Sequence, residues 1–193
     1  GVPHDIVYPV IPQVLRRFAK DYPKRKVTLL SSFTRVLKAQ FSRGECDVIL
    51  TTEEEVEHGG ETLAELPLVW VGAQGGTAWR GRPLRLAFAY NCFFRKGVQA
   101  ALDAKGIAWE MAVESEDGRA IEAAVAADLA VHAVLAGSEP PYVERINHGG
   151  VLPDLLTMKV IMYVADPVLA EMIKQAYQPK TLRAVDRIEA MAG

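Results

Sequence analysis

The 193-residue chain has only two cysteines and no apolar run long enough to cross a bilayer. A membrane-spanning helix needs about 20 consecutive apolar residues, and the longest runs here, such as residues 160–165, are much shorter. Two cysteines are also too few for the disulfide framework of a small secreted domain. We therefore expect a cytoplasmic protein with no membrane association, in which Cys46 and Cys92 are buried thiols.

The sequence also lacks an excess of charge of either sign. Its 22 basic residues are scattered among 24 acidic ones, the formal net charge is -2, and the pI is about 6.1. A protein that binds duplex DNA normally presents a basic face that displaces counterions. We expect no DNA contact from this chain itself.

Motifs that carry catalysis or hold metals are missing as well. The four histidines show no metal-binding spacing, and the glycines at 72–76 lack the Lys-Ser/Thr ending of a phosphate-binding loop. Ser138 follows a glycine but lacks the second glycine of a nucleophile elbow. The carboxylates at 53–55 are interpreted as a solvated charge run on a loop. The sequence predicts no catalytic residue, no metal and no cofactor.

Half of the residues are hydrophobic, and apolar segments of strand and helix type alternate along the chain. The predicted elements are helix 5–22, strand 27–30, helix 35–43, strand 46–51, strand 66–71, strand 84–90, helix 93–105, strand 109–114, helix 116–127, strand 129–135, strand 159–164 and a last helix capped by Asp166. This alternation predicts an α/β fold with parallel sheets.

Individual residues refine these predictions. Pro9 and Pro12 predict that the first helix is kinked or starts late. Thr34 is predicted to be the N-cap of the second helix. The continuous apolar stretch 46–51 predicts a strand that is buried on both faces.

The strand–helix alternation occurs in two runs, separated by the glycine-rich segment 72–83. A late strand and helix remain after the second run, which indicates that the chain crosses twice between two Rossmann-like lobes. We expect residues 1–70 with 156–193 in lobe I, and residues 71–155 in lobe II.

Several sequence stretches follow one another in a distinctive order over nearly the whole chain. They are GVPHD at 1–5, IPQVLRRF at 11–18 running into Tyr22-Pro23, the segment 37–48, LPLVWV at 66–71, RPLRLA at 82–87, CFFR at 92–95 and ALDA at 101–104. In this succession the chain resembles the effector-binding domain of bacterial LysR-type transcriptional regulators. The Trp-bearing strand and the CFFR segment resemble the flagellar-repressor-like subgroup most.

The resemblance implies a fold like that of type 2 periplasmic binding proteins, with a small effector held between the lobes. It also implies a homodimer, a tetramer for the full-length protein, and DNA contact only through an N-terminal winged helix-turn-helix domain that this chain does not contain. The chain departs from the family at 127–130, where a glycine-rich turn is common, and at Leu135, where proline is common. The turn at Asp128 must therefore form without the conformational freedom of glycine.

Ligands of open α/β sheets bind beyond the carboxyl ends of the strands, where helix N-termini present free N–H groups. This rule selects the strand-to-helix turns of both lobes. The candidate ligand-binding residues are Asp5, Ser32, Phe33, Thr34, Thr51, Thr52, Asn91, Phe93, Arg95 and Ser115. Hydroxyl and N–H donors at these turns favour an effector that carries a carboxylate. Thr51 and Thr52, expected just after a strand, are equally well explained by ordinary loop chemistry.

For several of these side chains a structural role competes with ligand contact. Asp5 is better explained as a cap of its own helix, although it could bind an amine or hydroxyl. Arg95 is either a solvated arginine or held for a partner, an effector carboxylate or a glutamate across the cleft. Phe93 could line the pocket or fill the core, and the core is favoured. His132, in an apolar strand, is interpreted as a core histidine rather than a sensor.

We therefore expect the ligand-sensing domain of a LysR-type regulator. A solute-binding receptor of a transporter is the first alternative, since it shares the fold class. A small enzyme on the same scaffold is the second, with His4 and Asp5 as its only nearby acid–base pair.

Overall fold

The computed structural model describes residues 1–177. The described chain forms two compact units, one comprising Gly1–Glu65 and residues 158–177, the other comprising Leu66–Thr157. The passages between units therefore lie at 65/66 and 157/158, and the glycine-rich segment 72–83 is inside the second unit. Residues 178–193, which we assigned to lobe I, lie outside the described part.

The first unit contains two small groups of strands and three helices among the described residues. Its elements are β1 (Val2–Pro3), α1 (Val10–Asp21), β2 (Ser31–Ser32), α2 (Thr34–Ser42), β3 (Val48–Glu53), the start of β4 (Glu61–Ala73), β9 (Thr157–Val164) and α5 (Pro167–Ala176). β1 and β2 are parallel, with Pro3 opposite Ser32. The backbone of Gly1 joins β3 by accepting a hydrogen bond from Leu50 N at 2.9 Å.

The first helix starts late, which confirms the prediction from its prolines. A 3-10 turn at His4–Ile6 comes first, and α1 begins only after Pro9. Pro12 falls in the first turn of α1, where its missing N–H leaves no helical hydrogen bond unmade. Val14 and Phe18 are buried on one face, and α1 packs against α5.

The predicted strand at 27–30 is wrong. Val27 and Leu29 are 39% and 44% exposed, and this stretch has no regular strand structure. Within it, the carbonyl of Leu30 accepts a hydrogen bond from Val2 N at 2.8 Å. The parallel ladder itself pairs Val2–Pro3 of β1 with Ser31–Ser32, the residues that follow this stretch.

β3 is buried along its whole length, which confirms the prediction of burial on both faces. The prediction of a parallel sheet is met on one side of β3 only. Gly1 bonds to Val48 O and Leu50 N in the parallel pattern, whereas β3 pairs antiparallel with β9, from Val48 opposite Val164 to Glu53 opposite Lys159. An apolar run shows burial but not which strand lies beside it, and β9 follows 100 residues later. Since β3 extends to Glu53, Thr51 and Thr52 lie within the strand and not in a loop after it.

The second unit contains the rest of β4 and the more regular alternation of strands and helices. Its further elements are β5 (Leu84–Ala89), α3 (Phe94–Ala104), β6 (Trp109–Ser115), α4 (Gly118–Ala126), β7 (His132–Leu135) and β8 (Val143–Arg145). β5 and β6 are parallel as predicted, whereas β7 and β8 pair antiparallel with β4. The strands β1 and β8, two and three residues long, were missed because so short a segment has no periodicity.

Asp128 has a φ of +56°, so the turn forms, as expected, without the conformational freedom of glycine. Its carboxylate accepts hydrogen bonds from Thr77 N at 2.9 Å and Ala78 N at 3.0 Å. These backbone hydrogen bonds lower the pKa of Asp128 and offset the cost of the left-handed conformation. A Cβ on Gly76 would lie 2.4 Å from the Asp128 carboxylate, so this approach requires glycine.

The predicted cap of the last helix and the predicted burial of the two cysteines can also be compared with the structure. Asp166 caps α5 as predicted, accepting a hydrogen bond from Val168 N at 2.8 Å, with Pro167 in the first turn. Cys46 is buried as expected, but Cys92 is only half-buried. Within residues 1–177, no helix combines the length and apolarity that crossing a membrane would require.

Candidate functional site

In the first unit, the parallel ends of β1 and β2 bring two turns side by side. His4 follows β1, and its Nδ1 lies 2.7 Å from Ser31 Oγ on β2. The His4 ring also contacts Phe33 edge-on, with ring centroids 5.2 Å apart. Ser32 and Phe33 are therefore next to His4 and Asp5, as the strand-end rule predicts.

Thr34 does not cap α2, so that prediction is wrong. Thr34 is already the first helical residue, and Phe33 occupies the cap position without a side-chain hydrogen bond to the helix. The Thr34 hydroxyl instead accepts a hydrogen bond from Thr52 N at 3.2 Å and lies 3.4 Å from Thr52 O. The backbone of β3 thus competes for this hydroxyl, and the first N–H groups of α2 have no side-chain cap.

A buried ionic network lies beside these turns, where we expected a solvated charge run. Glu53 is 6% exposed, and its carboxylate accepts hydrogen bonds from Thr51 Oγ1 at 2.6 Å and Tyr163 OH at 3.1 Å. Lys38 Nζ lies 2.7 Å from Glu53 Oε2. The solvated interpretation is therefore wrong for Glu53, and the Thr51 hydroxyl already serves this network.

Lys38 connects α2 to both the buried and the exposed acids. It also forms an ion pair with Glu57 at 2.7 Å. Burial alone would lower the pKa of Lys38, but its hydrogen bonds to Glu53 and Glu57 raise it. Lys38 therefore remains charged and fixes α2 against β3.

Asp5 lies in the 3-10 turn and does not cap α1, which begins five residues later. The predicted cap role is therefore wrong for the main helix. Among the described residues no partner hydrogen-bonds to Asp5 Oδ2, which is buried. Burial raises the pKa of Asp5 to about 6, against a smaller opposing effect of its own backbone N–H.

In the second unit, the parallel strands β5 and β6 end together, with Ala89 opposite Ser115. Ser115 Oγ accepts a hydrogen bond from Asp117 N at 3.0 Å. Asp117 in turn caps α4 by accepting from Arg119 N at 2.9 Å. The Ser115 hydroxyl is thus held in a defined direction at the strand end.

Arg95 has a protein partner close by. Its guanidinium lies 2.7 Å from Glu114 Oε1, which belongs to the neighbouring strand β6 of the same unit. Both side chains remain partly exposed. The glutamate that pairs with Arg95 thus lies in the same unit and is not the one expected across the cleft, and Arg95 keeps further donors for a ligand.

The core position predicted for Phe93 is wrong, because this side chain is 47% exposed. α3 begins at the next residue, and the buried aromatic is Phe94. Two adjacent helical residues point about 100° apart, so only one of this pair faces the core. Asn91 and Tyr90, at the end of β5, are also exposed.

His132 is a core histidine, which confirms that interpretation. Its Nδ1 is buried without a hydrogen-bond partner among the described residues, and its ring packs edge-on against Phe88 with centroids 4.5 Å apart. Burial lowers the pKa of His132 to about 4, so the ring is neutral at physiological pH.

The structure thus places one group of predicted residues at the strand ends of each unit. Asp5, Ser32 and Phe33 form the group of the first unit, next to Thr34 and Thr52. Asn91, Phe93, Arg95 and Ser115 form that of the second unit.

Sequence reasoning did not include His4 in the group of the first unit, although its position beside Asp5 was a signal. It also missed the ion pair between Lys38 and Glu53. Within residues 1–177, no three His, Cys, Asp or Glu side chains are grouped so that they could hold a metal.

The sequence matches the LysR substrate binding domain over residues 1–140. No curated protein matches it. Among solved structures, the reduced form of OxyR from N. meningitidis has 18% identity and a TM-score of 0.66, with 94% of each chain covered.

Two further solved structures share this fold. The CcmR regulatory domain from Synechocystis, solved in complex with 2-PG, has 16% identity and a TM-score of 0.70, with 91% of this chain and 93% of that chain covered. The cofactor-binding domain of the Cbl transcriptional regulator has 12% identity and a TM-score of 0.70, with 96% and 90% covered.

Proposed function

Because this chain belongs to the LysR substrate-binding domain family, we propose that it regulates transcription by binding a small-molecule effector at its strand ends. Such domains are ligand-sensing parts of transcriptional regulators rather than enzymes. The flagellar-repressor-like subgroup lies beyond what the comparisons resolve, and its assignment stays a prediction.

One observation carries the proposal: no side chain caps the backbone N–H groups at the start of α2, just after β2. The N-terminus of α2 has no side-chain cap, and Ser32 precedes the cap residue Phe33. Unpaired N–H groups at a helix N-terminus attract anions, because the helix dipole adds to their hydrogen bonds. An effector bearing a carboxylate fits this end, and the CcmR domain solved with 2-PG supports a small ligand on this fold.

We propose the same role for the strand ends of the second unit. Ser115 offers a hydroxyl whose direction is fixed by Asp117, and Arg95 offers a cation held by Glu114. Phe93 and Asn91 are exposed at the start of α3 and supply an apolar face and an amide.

The regulatory consequence follows from linkage. An effector can shift the domain between conformations only by the difference in its affinity for them. We propose that a homodimer, and a tetramer of the full-length regulator, transmits this shift to DNA through a domain outside this chain. The near-neutral charge and the scarcity of cysteine favour a cytoplasmic protein that does not itself contact DNA.

The proposal is tested by a thermal-shift screen of small carboxylates, amines and aromatic compounds against this chain. A ligand at about 100 times its dissociation constant should raise the midpoint of unfolding by roughly 5 °C or more. Ser32→Ala should reduce the shift of any carboxylate that binds. Ser42→Ala is the matched control, because the Ser42 hydroxyl bonds only within α2, to Ala39 O.

The outcome that contradicts the proposal is equally specific. If no compound shifts the midpoint, or if Ser32→Ala and Ser42→Ala respond identically to the carboxylate that does, the strand end before α2 is not the effector site.

A further inference from the structure

A groove lies along one edge of β4 in the second unit, separate from the strand ends described above. The chain pairs with β4 at two points: Ile146 N donates to Trp70 O and Leu68 N donates to Leu156 O, each at 2.9 Å. Between these points the segment 147–155 forms the outer wall of a cavity of about 540 Å³. Pockets for small molecules usually measure roughly 300–1,000 Å³.

The outer wall of this groove is held in place by several hydrogen bonds. Trp70 Nε1 donates to Pro153 O at 2.9 Å. Lys105, at the end of α3, donates to Leu152 O at 3.0 Å and also to Gly150 O. A groove whose walls are already ordered loses little conformational entropy when a ligand enters.

The chemistry of the groove combines an apolar floor with a cationic rim. Val69 and Trp70 are buried and line the floor. Arg145 lies at the rim, is exposed, and its side chain makes no hydrogen bond or ion pair with any residue in the described part of the chain. His148 Nδ1 accepts a hydrogen bond from Gly150 N at 3.3 Å, so in the neutral ring Nε2 carries the proton and is a second donor.

We propose that this groove is a second binding site, for a small monocarboxylate with an apolar body. The carboxylate pairs with the Arg145 guanidinium, whose planar donors fit a carboxylate in a bidentate arrangement. The apolar body lies on Val69 and Trp70. Asp154, the acid that lines the rim, repels a second negative charge and so selects against dicarboxylates.

The probe that tests this site is benzoate, compared with the isosteric neutral benzamide and with the cationic benzylamine. The readout is the indole N–H signal of Trp70 and the amide signals of Gly149 and Gly150 in two-dimensional NMR spectra of this chain. Benzoate should move these signals in a saturable way below about 10 mM, and benzamide should bind at least about tenfold more weakly.

Arg145→Gln supplies the mutational arm. It should weaken benzoate binding about tenfold or more, because the charge-assisted pair is lost. Arg85→Gln is the matched control, since Arg85 is a half-exposed arginine of the same unit that pairs with Glu110 and does not line the groove. Both positions are exposed, and an unchanged dispersion of the spectrum verifies that each variant is folded.

Four results would overturn the proposal. They are an absence of movement up to about 10 mM, equal affinity of wild type and Arg145→Gln, tighter binding of benzylamine than of benzoate, and movement confined to the amides of Ser32–Thr34. The last result would move benzoate to the proposed effector site and leave the groove without a ligand.

Discussion

At the scale of single residues, three titratable side chains with buried polar atoms differ in how those atoms are satisfied. Glu53 receives hydrogen bonds from a lysine, a threonine and a tyrosine. His132 stays neutral in the core, and one oxygen of Asp5 is buried without a partner among residues 1–177. A buried carboxylate with an unpaired oxygen is costly in its charged form, so we expect Asp5 to lower stability when it is ionised.

The substitution Asp5→Asn tests this cost. The folded-state pKa of about 6 lies above the ordinary value of 3.8, so the stability that the protonated carboxyl contributes is fully present below pH 3.8 and is lost as pH rises through 6. Asp5→Asn should therefore raise the free energy of unfolding by about 1–3 kcal/mol near pH 7.5 and change it little near pH 4. Urea denaturation at both pH values measures this difference.

Asp21→Asn is the control for Asp5→Asn, because Asp21 is exposed and pairs with Arg17 on the surface of α1. It should leave stability nearly unchanged at either pH. An Asp5→Asn variant that is no more stable than wild type near pH 7.5 would show that the carboxylate is solvated or paired.

Residue-level prediction from the sequence was limited by what a side chain meets in three dimensions. Ser115 was found because the end of strand 109–114 can be located from periodicity, whereas Ser32 lies in β2, and the strand predicted just before it, at 27–30, is wrong. The burial of Glu53 could not be foreseen, since its partners Lys38 and Tyr163 lie 15 and 110 residues away. Phe93 and Phe94 were exchanged because a one-residue shift in the start of a helix changes which side chain is buried.

At the scale of elements, the ion pair between Lys38 and Glu53 links α2 to β3. It thereby positions the N-terminus of α2, which has no side-chain cap. Glu53 is nearly inaccessible, while Lys38 keeps about a quarter of its side chain exposed. Removing the lysine leaves a buried carboxylate without its cation, which is more costly than losing a surface pair.

Lys38→Met should accordingly lower the free energy of unfolding by about 2–4 kcal/mol. Adding Glu53→Gln should recover part of this loss, because the unpaired charge disappears. The matched control is Arg43→Met, which breaks an exposed pair with Glu45 just after the C-terminus of α2 and should have no measurable effect. Equal decreases in the free energy of unfolding for Lys38→Met and Arg43→Met in urea denaturation would show that the Lys38–Glu53 ion pair does not stabilise the packing of α2 on β3.

The turn at Asp128 gives a second test at this scale. Asp128→Ala keeps the left-handed backbone strained and removes the hydrogen bonds to Thr77 and Ala78. It should cost about 2 kcal/mol, whereas Asp128→Gly should cost about 1 kcal/mol less because glycine relieves the strain. Thermal unfolding of the two variants would contradict this account if glycine were the more destabilising residue.

Most elements could be predicted from the sequence, and the failures share a cause. Strands at 84–90 and 109–114 and the helices after them have clear periodicity and correct boundaries to within about two residues. The stretch 27–30 has strand-like composition but is exposed, and β3 pairs with a strand from the far end of the chain. Pairing partners are tertiary information, and local pattern does not contain them.

At the scale of the whole molecule, the sequence predicted the family and the fold class. The succession of short segments, rather than any one motif, carried the resemblance, and the match to the LysR substrate binding domain over residues 1–140 confirms it. The α/β fold is the type 2 periplasmic-binding-protein-like fold of these domains, and the solved structures of OxyR and of the CcmR regulatory domain share it. Antiparallel strands complete the sheets, so the expectation of purely parallel sheets was too simple.

The central claim, that strand ends bind a small effector, is tested most directly by NMR titration of this chain with a carboxylate selected in the thermal-shift screen. The account predicts saturable movement of the backbone amides of Ser32, Phe33 and Thr34, and of Ser115 in the second unit. If every carboxylate that stabilises the chain leaves these amides unmoved, the strand ends are not the effector site and the account is wrong.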